Sequence, residues 1–186
     1  MTDSKPKSAR GGAAVVALGG WTGGNGLTAL LQGLDGGTSL AFVLAEAVPP
    51  AEFPPETELV IVTAADGDVP VSGRLYVCPP GHALRIGAAG FELRAAADGD
   101  GDGVEGLFES LAAQAGAAAV GVLLGGRVNG SAAGCEAIIA AGGLLLACTE
   151  GDPEGVGEGD QPRLSPADIA ARLNDIGEGP AGLAAA

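Results

Sequence analysis

Between Val15 and Gly26 the chain reads VVALGGWTGGNG, an apolar run that ends in a glycine-rich turn. In α/β proteins such a turn holds either a phosphate or a nucleophile, so its residues are the first to test for chemistry. As a phosphate cradle, GGWTGG puts Trp21 where the second glycine of G-x-G-x-x-G must let a pyrophosphate approach, and nothing after it completes a P-loop. As a nucleophile elbow, G-x-S-x-G, Gly19 and Gly23 frame position 21, but that position holds the chain's single tryptophan. Shifting the frame by one offers Thr22, a hydroxyl that still needs a base. The one histidine, His82, lies in PPGHALRI beside a predicted hairpin and reads as a surface or turn residue. A Ser-His-Asp triad also needs an aspartate on a third loop, and GGRVNG has none. Thr22, Glu46 and His82 are therefore the groups from which a rearranged hydrolytic site could be built.

Composition narrows the classes further. The 186 residues carry a formal net charge of −14, so nucleic acid and anionic membrane are excluded as natural partners and a basic protein surface fits better. Apolar residues make up 47% and aromatics only 3%, which predicts a core of Ala, Val, Leu and Ile. Cys78, Cys135 and Cys148 stand in apolar surroundings without a CxxC or Cys/His cluster. They read as small buried hydrophobes in a reducing, cytoplasmic compartment, with no zinc site implied. DGDGDG at Asp98–Gly103 fails as an EF-hand loop because its glycines are out of register and no glutamate closes it, so a solvated turn is expected. No run approaches the roughly 18 apolar residues of a membrane span. Residues 1–12 read as a disordered arm, 13–176 as one domain, and 177–186 as a flexible tail.

The elements that must position these residues follow from periodicity. Ala13–Leu18 is a buried parallel strand, and Leu27, Leu30, Leu31 and Leu34 repeat at helical spacing after the turn. Ser39–Ala45, Leu59–Thr63 and Arg74–Cys78 read as strands, with a proline-rich loop after the first of them. Ala83–Ile86 and Phe91–Arg94 flank GAAG and read as a hairpin. A helix over Val104–Ala115 precedes the longest apolar run, Ala117–Leu124, expected as a central strand. A helix over Ala132–Ala141 is stopped by two glycines, and Leu144–Cys148 is the next strand. Ser165 caps a last helix, Pro166–Ile176, with proline at its first position and Asp168 at its third. The alternation predicts an open, mostly parallel α/β sheet with helices on both faces and one antiparallel hairpin. Function in such a sheet lives at the carboxyl ends of the strands, on the loops Gly19–Gly26, Glu46–Phe53 and Gly125–Ser131.

Read segment by segment, the chain resembles the catalytic domain of CheB-type chemotaxis receptor methylesterases, which hydrolyse methyl esters on receptor glutamates. The family's GASTGG and leucine-rich helix are met by GGWTGGNGLTALLQGL, and its QHMPP loop by AEAVPPAEF. Its DG…G-x-VYVAPPG segment is met by DGDVPVSGRLYVCPPG, and its VDxLFxSLA helix by VEGLFESLAAQAG. Its AVGVxLTGMGxDGAxGxxAIxxAGG is met at equal length by AVGVLLGGRVNGSAAGCEAIIAAGG. The match spans roughly Ala13–Arg172. Its departures fall on the chemistry. The family serine aligns with Trp21, the histidine with Ala47, and the aspartate with Gly130, or with Asn129 if the loop slips by one. The methionine near the family's oxyanion site aligns with Arg127. The polar RPS before the fifth segment's helix becomes Gly101, Asp102 and Gly103. The family's GMP turn is missing from a shortened Thr149–Pro162, and about a dozen residues leave no room for a preceding receiver domain.

The resemblance therefore implies a CheB methylesterase-like domain without its catalytic triad, needing no cofactor. It would act as a protein-binding or regulatory module whose partner is a signalling protein or chemoreceptor. The alternative is a residual or rearranged carboxylic-ester hydrolase. Trp21, Thr22, Glu46, Arg127 and Asn129 would line the former cleft. Trp21 should sit partly buried at the end of the first strand, its indole N–H seeking an acceptor on Glu46, or on Asn129 if the third loop keeps the family's shape.

Overall fold

The computed structural model describes residues 13–21, 23–96, 103–125, 132–148 and 163–178. Strand β1 (Ala14–Gly19) is flanked by β2 (Leu40–Leu44) and β7 (Val120–Leu123), both parallel to it. Beyond β2 lie β4 (Arg74–Val77) and, at the edge, β3 (Val60–Thr63). Beyond β7 lie β8 (Leu144–Cys148) and a two-residue β9 (Arg163–Leu164). All seven run parallel, in the order β3-β4-β2-β1-β7-β8-β9. The hairpin β5 (His82–Ile86) and β6 (Phe91–Ala95) forms a separate antiparallel pair.

The sheet is covered on both faces, and the strand sequences show why. Val16 and Leu18 of β1, Phe42 and Leu44 of β2, and Val120 and Val122 of β7 alternate onto one side. There they meet Leu27, Leu30 and Leu31 of α1 (Asn25–Gly33) and Ile169 and Leu173 of α4 (Pro166–Glu178). The intervening residues, Ala17, Val43 and Tyr76, face the hairpin and the helices α2 (Gly103–Ala115) and α3 (Ala132–Ala140). Period-two alternation between two apolar layers is what a doubly covered parallel strand requires. Two strand positions on the α2 and α3 side, Gly19 and Gly121, carry no side chain, so those helices can come close. A Cβ on Gly121 would sit 2.6 Å from Cδ1 of Ile138, and one on Gly19 only 2.6 Å from Cγ1 of Val104.

This arrangement matches the expected fold class, and the helix caps follow the sequence signals. The Asp168 backbone N–H donates to Oγ of Ser165 at 3.2 Å, and Gly142 ends α3 with φ of 79°. Three details differ from the sequence reading. The apolar run Ala117–Leu124 yields a shorter strand, because Gly116 at φ 55° opens a 3-10 turn over Gly116–Ala118. That strand lies inside the sheet, beside the middle strand β1. Strand β9 was not expected, since two residues carry no periodicity and only pairing with β8 defines it. Helix α4 runs on to Glu178, where Gly177 is buried and its carbonyl accepts from Oγ of Ser39 at 2.7 Å. That contact holds two residues that the sequence had assigned to the tail. The DGDGDG turn lies outside the described residues apart from Gly103, which begins α2.

Because β1 meets β2 on one side and β7 on the other, the three loops singled out above leave neighbouring strands at one sheet edge. Helix α1 follows β1 on one face and α2 precedes β7 on the other, so the edge beside β1 is a topological switch point. We expect Gly19→Ala to cost about 1–3 kcal/mol, since its new methyl must displace the branched, rotamer-restricted Val104 in the first turn of α2. The check is a lower denaturant midpoint at unchanged m value.

Candidate functional site

The backbone at the switch point is built from two elements. β1 ends at Gly19, whose carbonyl accepts from the Leu124 N–H at 2.9 Å, so the ends of β1 and β7 are tied together. Gly20 follows in the left-handed region, φ 79°, which glycine adopts without a Cβ penalty. The chain therefore turns sharply before Trp21. On the other side, the Ala45 N–H donates to the Leu18 carbonyl at 2.9 Å, carrying β2 to the same edge. Glu46 is the next residue.

The Glu46 side chain reaches into the turn. Its Oε1 accepts from the Gly20 backbone N–H at 2.5 Å. Its Oε2 is closed off from solvent with no hydrogen-bond partner. Burial pushes the carboxyl up from 4.5 to about 7, although the N–H groups of Gly20, Glu46 and Trp21 all favour the charged form. Desolvation thus outweighs three backbone dipoles. Cys78, just past β4, feels the same site. Burial first, and then the Glu46 charge, push its thiol up to about 11. Its Sγ lies 3.1 Å from the His82 carbonyl, so it behaves as a neutral thiol and not as a nucleophile.

Trp21 is half-buried and packs against the layer of α1 and α4. Its place at the end of β1 is as the sequence indicated. Its expected bond is not formed: Nε1 is buried without a partner, and Glu46 is engaged by the Gly20 backbone instead. The second carboxylate oxygen is left without a partner too, so the indole N–H and the carboxyl do not meet. Ala47 is exposed and lines a groove of about 590 Å³ with Val48, Pro50, Phe53, Val77 and Cys78. His82 is exposed at the start of β5, with Nδ1 2.9 Å from the Pro80 carbonyl. Thr22, Arg127, Asn129 and Gly130 lie outside the described residues. Among the described residues no group of three His, Cys, Asp or Glu side chains could hold a metal ion, and no helix is long and apolar enough to cross a membrane.

Comparison with known proteins agrees with this geometry. The family profile described as CheB methylesterase matches residues 16–154. The chain belongs to the CheB methylesterase family. It is similar to protein-glutamate methylesterase/protein-glutamine glutaminase 6 of Anaeromyxobacter dehalogenans, at 36% identity over 157 residues, 74% of this chain and 45% of the relative. It is also similar to protein-glutamate methylesterase/protein-glutamine glutaminase 3 of Geobacter sulfurreducens, at 33% identity over 80% of this chain and 44% of the relative. The chain thus spans less than half the length of these relatives. The CheB methylesterase catalytic domain of Thermotoga maritima shares the fold, with a TM-score of 0.73 at 19% identity, covering 88% of this chain and 98% of that one.

Sequence reasoning placed Glu46 on the right loop but missed its destination and its coupling to Cys78. The available signal was a lone acidic residue between the apolar run of β2 and Pro49-Pro50. Its titration gives a testable sign. The carboxyl titrates near 4.5 when unfolded and near 7 when folded, so the folded chain holds the proton more tightly. Its stabilising contribution is complete below pH 4.5 and is lost as pH rises through about 7. A shift of that size corresponds to about 3 kcal/mol. The difference in unfolding free energy between wild type and Glu46→Gln, measured by urea titration across this window, should change by an amount of that order. A flat difference would show that the carboxyl is not buried as a charge.

Proposed function

We propose that this chain is a CheB methylesterase-like domain that has given up ester hydrolysis and serves as a protein-binding module in cytoplasmic chemosensory signalling. The observation that carries this reading is the filling of the elbow at the end of β1. An indole stands at position 21, and the chain's own Glu46 carboxylate takes the Gly20 N–H. Ala47, where the resemblance puts the histidine, offers no base. Gly130 supplies no carboxylate at the third position. Removing triad members one at a time already costs orders of magnitude, and losing all three leaves neither nucleophile nor general base. The names of the relatives, protein-glutamate methylesterase/protein-glutamine glutaminase, support a partner that carries glutamate side chains, and the family resemblance points to a chemoreceptor or signalling protein.

One observation favours a second reading. A carboxyl raised to about 7 with one free oxygen is suited to general acid–base work. A rearranged hydrolase would pair Glu46 with the Thr22 hydroxyl. Methanol release from methylated receptor separates the two. We expect turnover at background for wild type. Turnover that disappears in Thr22→Ala or Glu46→Gln would sink the binding-module reading. The triple variant Trp21→Ser, Ala47→His, Gly130→Asp should regain at most weak activity, because Arg127 and the shortened Thr149–Pro162 loop leave the site poorly organised.

Trp21 is the natural anchor for a partner, since tryptophan is enriched among binding hot spots. It is also the chain's single tryptophan, so its emission reports on this edge alone. A partner captured with the purified domain should shift that emission. Trp21→Ala should weaken the complex by about 2 kcal/mol or more. If that variant instead loses several kcal/mol of folding stability, as loss of a core ring can, and binds unchanged, the indole is only a plug.

A further inference from the structure

We propose that the turn after β1 is a carboxylate-binding cradle and that Glu46 keeps it filled from within the chain. The inference does not depend on whether the domain hydrolyses esters or binds a protein. It starts from hydrogen bonds that do not balance. The Gly20 N–H donates to Oε1 of Glu46, and the Trp21 N–H also lies close enough to favour the charged carboxylate. Left-handed Gly20 beside Trp21 turns successive N–H groups towards one point, the geometry by which backbone concavities hold anions. Two polar atoms at this turn are nevertheless orphaned: Oε2 of Glu46, which accepts nothing, and Nε1 of Trp21, which donates to nothing. Buried polar atoms without partners are rare in folded proteins, so two at one turn point to a site built for something other than its resident.

Glu46 fits the cradle poorly because it is tethered. Its backbone directly follows the Ala45 that bonds to Leu18, which fixes where the side chain starts. A carboxylate that is not part of β2 is free to place its oxygens at the backbone N–H groups of Gly20 and Trp21 together. The ligand class is therefore a carboxylate anion, free or carried on a peptide. Of the titratable groups among the described residues, Cys78 is the one coupled to this point, and its raised thiol stays neutral through the physiological range. No compensating cation holds Glu46 in place among those residues; the ion pair between Arg94 and Glu92 lies on the hairpin.

The test uses the whole chain, Trp21 fluorescence, and two probes: acetate, and a short capped peptide with one glutamate. In Glu46→Ala, acetate should change the emission saturably. Wild type should respond at least about tenfold more weakly, because an occupied cradle is rarely competent to bind. Response to acetate alone assigns the site to free carboxylates, and response to both assigns it to protein-borne ones. A folded Glu46→Ala chain that ignores both, or a wild type that responds equally, overturns the proposal. A second measurement needs no variant. In wild type, the Gly20 amide resonance should shift as Glu46 titrates through the neutral range. A Gly20 amide that does not move shows that the cradle is not engaged.

Discussion

The burial of β1 on both faces is the constraint from which the rest of the site follows. Val16 and Leu18 are enclosed by one helix layer, Ala17 by the other, and the strand's edges are taken by β2 and β7. Such a strand cannot bend within the sheet, so the chain must leave at its carboxyl end through a sharp turn. Gly19 is confined by Val104, and Gly20 takes the left-handed conformation that makes the turn. Register does the rest. Leu18 pairs with Leu44, so the second residue beyond that pair on β2 emerges beside the turn, and that residue is Glu46.

The energetics of that meeting are set by competition between solvation and hydrogen bonding. A hydrogen bond to a charged group is worth roughly 1.5–3 kcal/mol, and an unpaired buried charge costs more. Here the bond to Gly20 and the nearby dipoles do not win, because the carboxyl is raised and not lowered. The chain's net charge of −14 adds no counter-charge to help the charged form. A group held near neutrality in this way changes charge under small changes in its surroundings.

Much of the fold was legible in the sequence, and far less of the site. Strands such as Leu144–Cys148 and the Ser165–Asp168 cap are written in local pattern, because a buried parallel strand and a helix start each leave a residue-level trace. The segments resembling the CheB family add the order of elements, which local pattern alone does not specify. Strand β9 and the last turn of α4 left no such trace, since pairing with β8 and the contact of Gly177 with Ser39 define them. The position of Trp21 was readable from the strand that precedes it. Its missing partner was not, because whether an indole N–H meets a carboxylate oxygen depends on angles that only the folded turn sets.

Cys78 ties this turn to the groove beside it. The residue lies on the face of the hairpin and α2, it lines the groove with Ala47 and Pro49, and its thiol is raised by burial first and then by the charge on Glu46. Linkage makes the charge–charge part of that influence reciprocal, but a thiol raised to about 11 is neutral where Glu46 titrates, so it leaves the carboxyl unmoved. The groove lining carries no charged side chain, so an occupant would bring no counter-ion from the protein side. The elbow and the groove are thus joined through consecutive residues, Glu46 reaching the turn and Ala47 lining the groove, and through the Glu46 charge that Cys78 feels.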